Sequence, residues 1–247
     1  MKKVSLVIPA HNEEGCIEET VRAFHDELTK ENIPHEILVI NDNSKDKTEE
    51  ILTNLSREIS ELRYINNTPP NGFGFAVRKG LENFQGDYLA IVMADLSDRP
   101  IDLIKYYRKI EEGYDCVFGS RFINGGKTVD YPKFKFYLNR FTNNIIKALF
   151  GIRYNDTTNA FKLYKKETIE GLKPFLSHHF NLTVELPLKA IVRGYSYHVI
   201  PNHWINRKEG ESKLKIKEMG SRYFFIILYC LLEKWLSRGD YNKNKLQ

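Results

Sequence analysis

The sequence predicts an α/β protein built on a doubly wound, mostly parallel sheet with helices on both faces. Three observations predict it. Short apolar runs of strand length recur through the first half, at Val4 to Ile8, Glu36 to Ile40 and Tyr88 to Met93. Stretches with helical spacing separate them. The apolar positions of these runs are consecutive rather than alternating, as in strands buried on both faces of a parallel sheet.

Taken in order, Val4 to Ile8 is a strand ended by Pro9, and Ile17, Val21, Phe24 and Leu28 mark one face of the next helix at spacings of four, three and four. The second strand, Glu36 to Ile40, stops at the polar corner Asn41-Asp42-Asn43-Ser44. Asp46 with Glu49 three residues later reads as a helix cap with a back-bonding partner, and Ile51, Leu52, Leu55 and Ile59 follow on that helix. A short strand at Arg63 to Ile65 leads to Pro69-Pro70-Asn71-Gly72-Phe73-Gly74, a loop with backbone freedom at both glycines. A helix through Ala76, Val77 and Leu81 comes next. The fourth strand, Tyr88 to Met93, runs into Ala94-Asp95-Leu96-Ser97-Asp98. A helix over Ile101 to Ile110 and a strand at Cys116 to Phe118 complete a βαβα rhythm with right-handed crossovers. In the second half, Asn139 to Phe150 is helical in pattern, Ala160 to Tyr164 a strand, Leu182 to Val192 a helix and Tyr197 to Ile200 a strand. A charged loop, Asn206 to Lys213, precedes a helix from Leu214 to Leu236. The expected organisation is a catalytic domain over 1–213 and a helical tail over 214–247.

At 247 residues with 42% apolar content, the chain can bury one large core. Its net charge of +5 suits a protein that handles phosphates and is too weak to argue for nucleic acid. Met1-Lys2-Lys3 runs straight into a strand, so no signal peptide is expected. Cys16, Cys116 and Cys230 lack metal spacing and read as reduced packing residues of a cytosolic protein.

The tail helix contains an apolar stretch, Tyr223 to Leu232, that covers roughly 15 Å, about half of a hydrocarbon core. Arg222 and Glu233-Lys234 bracket it, which argues against a spanning helix. Lys213, Lys215, Lys217, Lys234 and Arg238 beside Phe, Tyr and Trp235 suit a helix lying at a lipid interface. A terminal helix docked on the protein's own sheet or on a partner subunit reads the same way, and both placements stay open.

Open α/β sheets bind ligands at the carboxyl ends of their strands, and Asp42 and Asp95 both fall there. Two carboxylates on one rim suggest a divalent cation, Mg²⁺ or Mn²⁺, bridging to phosphates. Asp95 suits the metal, with Ser97 and Asp98 in reach, and Asp42 suits a ribose or base. The bland alternatives are a capped turn for Asp42 and a helix cap for Asp95, the second being a task that Asp98 is better placed to do. Arg121 after the fifth strand, with Arg207 and Lys213 in the charged loop, would make a phosphate clamp. The turn Pro9-Ala10-His11-Asn12-Glu13 lacks the Gly-x-Gly-x-x-Gly pattern, which makes a dinucleotide oxidoreductase the least favoured reading.

The runs Val7-Ile8-Pro9-Ala10-His11-Asn12-Glu13-Glu14, Asn41-Asp42-Asn43-Ser44-Lys45-Asp46-Lys47-Thr48, Ala94-Asp95-Leu96-Ser97, Gly119-Ser120-Arg121-Phe122 and Arg207-Lys208-Glu209-Gly210-Glu211-Ser212-Lys213-Leu214 occur in this order. On these residues the chain resembles the family 2 glycosyltransferases of GT-A fold, most of all the dolichyl- and polyprenyl-phosphate sugar transferases. The resemblance implies that Pro9, His11, Glu13, Ile40 and Asp42 line the nucleotide pocket and that Asp95 and Ser97 bind the metal. It implies that Arg121, Arg207 and Lys213 hold the phosphates of donor and acceptor. The family's metal motif is usually Asp-x-Asp and reads Met93-Ala94-Asp95 here, so Asp95 would act alone or with Asp98 or Ser97.

The implied reaction is inverting transfer of a sugar, mannose or glucose, from a GDP- or UDP-sugar to a lipid phosphate. It would occur at the cytoplasmic face of a membrane, where a membrane-protein subunit is a possible partner. An anionic acceptor requires no general base, whereas a hydroxyl acceptor, as in surface polysaccharide synthesis, would require one, with Asp98 or Glu185 as candidates. The non-enzymatic alternative is a nucleotide-sugar-binding scaffold that recruits a membrane partner through its tail.

Overall fold

The structure is a computed structural model that describes residues 1–206 and 216–245. The chain runs β1 (Val4–Ala10), α1 (Ile17–Lys30), β2 (His35–Asn41), α2 (Thr48–Glu58), β3 (Leu62–Asn66), α3 (Phe73–Asn83), β4 (Tyr88–Ile91), α4 (Pro100–Ile110) and β5 (Cys116–Ser120). It continues with β6 (Lys127–Val129), α5 (Lys133–Phe150), β7 (Lys162–Lys165), α6 (Lys166–Gly171), α7 (Leu182–Val192), β8 (Tyr197–Pro201), β9 (His203–Ile205) and α8 (Ile216–Leu236).

Seven strands form one sheet in the order β3-β2-β1-β4-β7-β5-β8. β1 is buried along its whole length and pairs in parallel with β2 on one side and β4 on the other. Its side chains alternate between two cores. Leu6 and Ile8 pack with α1, α2 and α4, while Val7 packs under α3 and α7. The α3 contact is close because Gly80 has no side chain: a Cβ there would lie 2.2 Å from Val7 Cγ1. The expected stripe Ile17, Val21, Phe24 and Leu28 is the buried face of α1.

Three features add to or depart from the sequence reading. The strand expected at Ala160 to Tyr164 is β7, and it runs antiparallel between β4 and β5. Its direction follows from where it starts. Asp156, just before it, is tied to Arg121 at the carboxyl-end rim, so the chain enters β7 from the rim and runs down. Secondly, β6 and β9 form a separate two-stranded parallel sheet that no periodicity announced. Thirdly, the cap of α2 is incomplete. Asp46 Oδ1 accepts from Thr48 N at 3.0 Å, but Glu49 does not bond back and instead accepts from Asn66 Nδ2 at 2.6 Å.

The tail helix resolves into two faces. Ile226, Ile227, Cys230 and Leu231 pack against Ile146 and Phe150 of α5 and Val184 and Leu188 of α7. Arg193 and Glu233 lock α8 to the end of α7 with bonds of 2.7 and 3.0 Å. The opposite face carries Phe224, Phe225, Leu228, Leu232, Trp235 and Leu236 in solvent. α5 extends this apolar surface with Phe134, Tyr137, Phe141 and Ile145. Among the described residues, no helix is long and apolar enough to cross a membrane.

Candidate active site

The rim at the carboxyl ends of the parallel strands gathers most of the residues singled out in the sequence. Pro9 and Ile40 are register partners on β1 and β2. His11 Nδ1 lies 2.6 Å from the carbonyl oxygen of Asp42. The β1–α1 and β2–α2 turns are laced together. Lys45 N donates to Asn12 Oδ1, Asn12 N to Ser44 Oγ, Lys47 N to Glu14 Oε2 and Glu14 N to Asp46 Oδ2. Glu13 N donates to Thr48 Oγ1 at 2.9 Å. Much of the polar sequence in these two runs therefore joins one turn to the other.

Asp42 is buried at the end of β2. Its Oδ1 accepts from Asn67 Nδ2 and Asn71 Nδ2, and its Oδ2 from Gly72 N at 2.7 Å. The loop before α3 thus folds onto this carboxylate.

Asp95 follows β4, beside β1 in the sheet. Leu96 takes φ 52°, in the left-handed region, which turns the chain so that Ser97 N donates to Asp95 Oδ1 at 3.2 Å. A non-glycine residue there is held by its surroundings. Thr20 Oγ1 on α1 donates to Ala94 O, and Ile205 N on β9 donates to Ser97 O. Asp98 is only 2% exposed, and its Oδ2 receives Met93 N at 3.4 Å. Burial, and next the charge of Asp95, push its carboxyl up to about 7, while Arg121 opposes the shift. Asp95, Asp98 and Arg121 thus share one electrostatic neighbourhood.

The fit to Mg²⁺ or Mn²⁺ rests on the donor set. Residues 95–98 offer the hard oxygens of Asp95, Ser97 and Asp98. Among the described residues, no group of three His, Cys, Asp or Glu side chains is placed to hold an ion by itself. A partial oxygen shell suits an ion completed by water and substrate phosphates.

Arg121, just after β5, is held by a carboxylate. Its Nε and Nη2 donate to Asp156 at 2.8 and 2.7 Å, and its backbone N donates to the same carboxylate at 2.9 Å. Burial works against the guanidinium charge, but the Asp156 carboxylate overrides it and raises its pKa. One edge is committed to Asp156, and the Tyr131 side chain also lies beside the guanidinium. Nearby, Lys162 is fully buried with its Nζ donating to Thr157 O and Thr183 O, and burial brings its pKa down to about 7. Sequence reading missed Asp156, although a polar run, Asn155 to Asn159, immediately before an apolar strand was the available signal. Glu185, a candidate base, is taken by the scaffold. It is buried, accepts from Leu176 N and Ser177 N, and pairs with Lys189 at 2.6 Å. Arg207 and Lys213 lie outside the described residues.

A mostly parallel sheet of this order, flanked by helices and with polar turns gathered on its carboxyl-end rim, is the GT-A fold. The profile of Glycosyl transferase family 2 matches residues 5–172, and the chain belongs to that family. Its relatives include a dolichol-phosphate mannosyltransferase of Pyrococcus furiosus, 32% identical over 220 residues, covering 87% of this chain and 60% of the relative. An uncharacterized glycosyltransferase of Synechocystis is 28% identical over 69% of the chain and 52% of its own length. The chain therefore spans a little over half the length of the curated relatives it matches. Among solved structures, glucosyl-3-phosphoglycerate synthase of Mycobacterium tuberculosis, in complex with Mn²⁺, UDP and glucosyl-3-phosphoglycerate, superposes with a TM-score of 0.68 at 16% identity, covering 94% of this chain and 80% of that one. The same enzyme was also crystallised with Mg²⁺ and UDP. At that identity, the likeness shows the fold alone.

Proposed function

We propose that this protein transfers a hexose, mannose or glucose, from a GDP- or UDP-sugar to a polyprenyl phosphate, with inversion, at the cytoplasmic face of a membrane. The observation that carries the reading is the continuity between the rim and an apolar surface. Phe122 and Tyr131 flank the Arg121 guanidinium at 5.3 and 5.6 Å, and both rings pack against Phe136 of α5. The exposed α5 side chains Phe134 and Tyr137 flank Phe136 in the chain, and Phe136 packs on Tyr137. An acceptor with a phosphate head and an apolar chain matches both chemistries. The relation to the dolichol-phosphate mannosyltransferase supports the same acceptor class.

In this reading Pro9, His11, Glu13, Ile40 and Asp42 seat the nucleotide. Asp95 and Ser97 would hold Mg²⁺ or Mn²⁺, which when bound neutralises charge on the leaving diphosphate. The Arg121 guanidinium, held by Asp156, orients the acceptor phosphate. An acceptor oxygen forms the new bond to the anomeric carbon as the bond to the diphosphate oxygen breaks, and that oxygen keeps the electron pair. The anionic acceptor brings no proton to remove, so no base is needed. Arg207 and Lys213 are assigned to the phosphates by resemblance alone.

The test is purified chain with GDP-mannose or UDP-glucose, Mn²⁺ and polyprenyl phosphate in detergent, read as labelled sugar in the organic phase. Transfer only to hydroxyl acceptors would replace this reading with polysaccharide synthesis. Donor binding without transfer or hydrolysis would leave the scaffold reading.

A further inference from the structure

The short strand β9 lies against the Asp95 loop on one edge and against β6 on the other. Ile205 N donates to Ser97 O at 3.1 Å, and Trp204 forms an antiparallel bridge with Asp98. Across the other edge Trp204 is the register partner of Thr128, and Asn206 N donates to Val129 O at 3.1 Å.

The indole of Trp204 reaches the Arg121 clamp. Its ring centroid lies 4.9 Å from that of Tyr131, and Arg121 Cζ lies 5.6 Å from the Tyr131 centroid. His203, the preceding residue, is occupied elsewhere: its N donates to Asp102 Oδ2, and its ring nitrogens lie 2.8 Å from Arg99 Nη1 and 3.1 Å from Gly125 O. Strand alternation puts the two side chains on opposite faces, which leaves Trp204 on the side of Tyr131 and Arg121. Packing does not account for an indole at this place. Trp204 is half-buried and belongs to none of the three buried hydrophobic clusters among the described residues. An aromatic side chain contributes through the area it buries, so a half-buried one outside a core gains little from packing alone.

The chemistry gives it a use. In the proposed reaction the transferred hexose lies between the leaving diphosphate, held at Asp95, and the acceptor phosphate, held at Arg121. Trp204 spans the same interval, tied by its backbone to the Asp95 loop and by its ring to the clamp. A hexopyranose presents polarised C–H bonds on its ring faces, and the face of an indole is electron-rich, so the two attract. A phosphate gains nothing from that face, because both are negative. We propose that Trp204 is the platform for the hexose of the donor, a residue that sets affinity for the sugar and leaves the nucleotide part untouched. The inference rests on the donor and acceptor placement of the proposed function.

The chain has two tryptophans, Trp204 and Trp235, so Trp235→Phe in the full chain makes Trp204 the sole indole reporter. That protein is titrated with UDP-glucose, GDP-mannose, UDP and GDP in the presence of Mg²⁺. Indole emission should change with at least one nucleotide sugar and not with the matching nucleoside diphosphate. By calorimetry, Trp204→Ala should weaken binding of that nucleotide sugar about three- to tenfold, the size of one aromatic contact, with binding of the diphosphate unchanged. Trp204→Phe should keep most of the affinity. An equal loss for nucleotide sugar and diphosphate, or emission that follows both alike, would make Trp204 a brace for the loop and overturn the proposal. The transfer assay separates this inference from the function it rests on. Transfer without a sugar-dependent change in emission sinks the platform and keeps the function, and a sugar-dependent change without transfer does the reverse. If neither donor binds, both fall.

Discussion

Asp156→Asn tests whether Arg121 is a held side chain rather than a mobile one. The carboxylate is fully buried and the guanidinium nearly so, and three hydrogen bonds of 2.7 to 2.9 Å join the two residues. Removing one partner of a buried ion pair strands the other charge, at a cost of about 3–5 kcal/mol. Asparagine preserves the shape and one acceptor oxygen, so about 3 kcal/mol is the expected loss. For a domain of this size each kcal/mol lowers Tm by about 2–4 °C, which gives a drop of about 6–12 °C in calorimetry. Turnover should fall as well, because the guanidinium loses its anchor. The double change Arg121→Met with Asp156→Leu should restore most of the stability, since an apolar pair of similar volume replaces the ions at little net cost. It should not restore transfer. A single Asp156→Asn protein with an unaltered Tm would refute the claim that this pair anchors the rim.

Three further outcomes are expected. Asp95→Asn should abolish transfer and the Mn²⁺-dependent rise in Tm with UDP, while moving the ligand-free Tm little; an undiminished metal effect would remove Asp95 from the metal site. Phe141→Glu with Trp235→Glu, at side chains 65% and 60% exposed, should weaken binding to neutral vesicles at a stability change within about 0.5 kcal/mol, and unchanged vesicle binding would argue against a lipid-facing surface. Lys162 provides a pH test. Its amine titrates near 10.5 when unfolded and at about 7 when buried, so between those values the unfolded chain takes up a proton that the folded chain refuses. Stability should therefore fall as pH drops from about 10 to 7, by on the order of 5 kcal/mol from this residue, and level off below. Lys162→Met should flatten that slope, and a slope unchanged by the substitution would show that the amine is not desolvated.

What the residues announced locally, the structure largely contains. Buried parallel strands need uninterrupted apolar side chains, so β1, β2 and β4 were legible, and the stripe of α1 followed from helical period alone. The acidic corner at Asp42 and the Asp95 loop were legible because strand ends in such sheets open onto the ligand rim. Local pattern carries no direction, however. β7 reads as a strand in either sense, and only the tether of Asp156 to Arg121 across the sheet decides that it runs antiparallel. Nor does it distinguish a buried ion pair from a free cation. Arg121, Glu185 and Asp98 read alike as charged side chains near a site, and their roles diverge through partners 35, 4 and 5 residues away. The tail helix shows the same division: its composition held packing and lipid contact equally open, and the packing of α5 and α7 against Ile226 and Cys230 chose which face is buried and which is left outside.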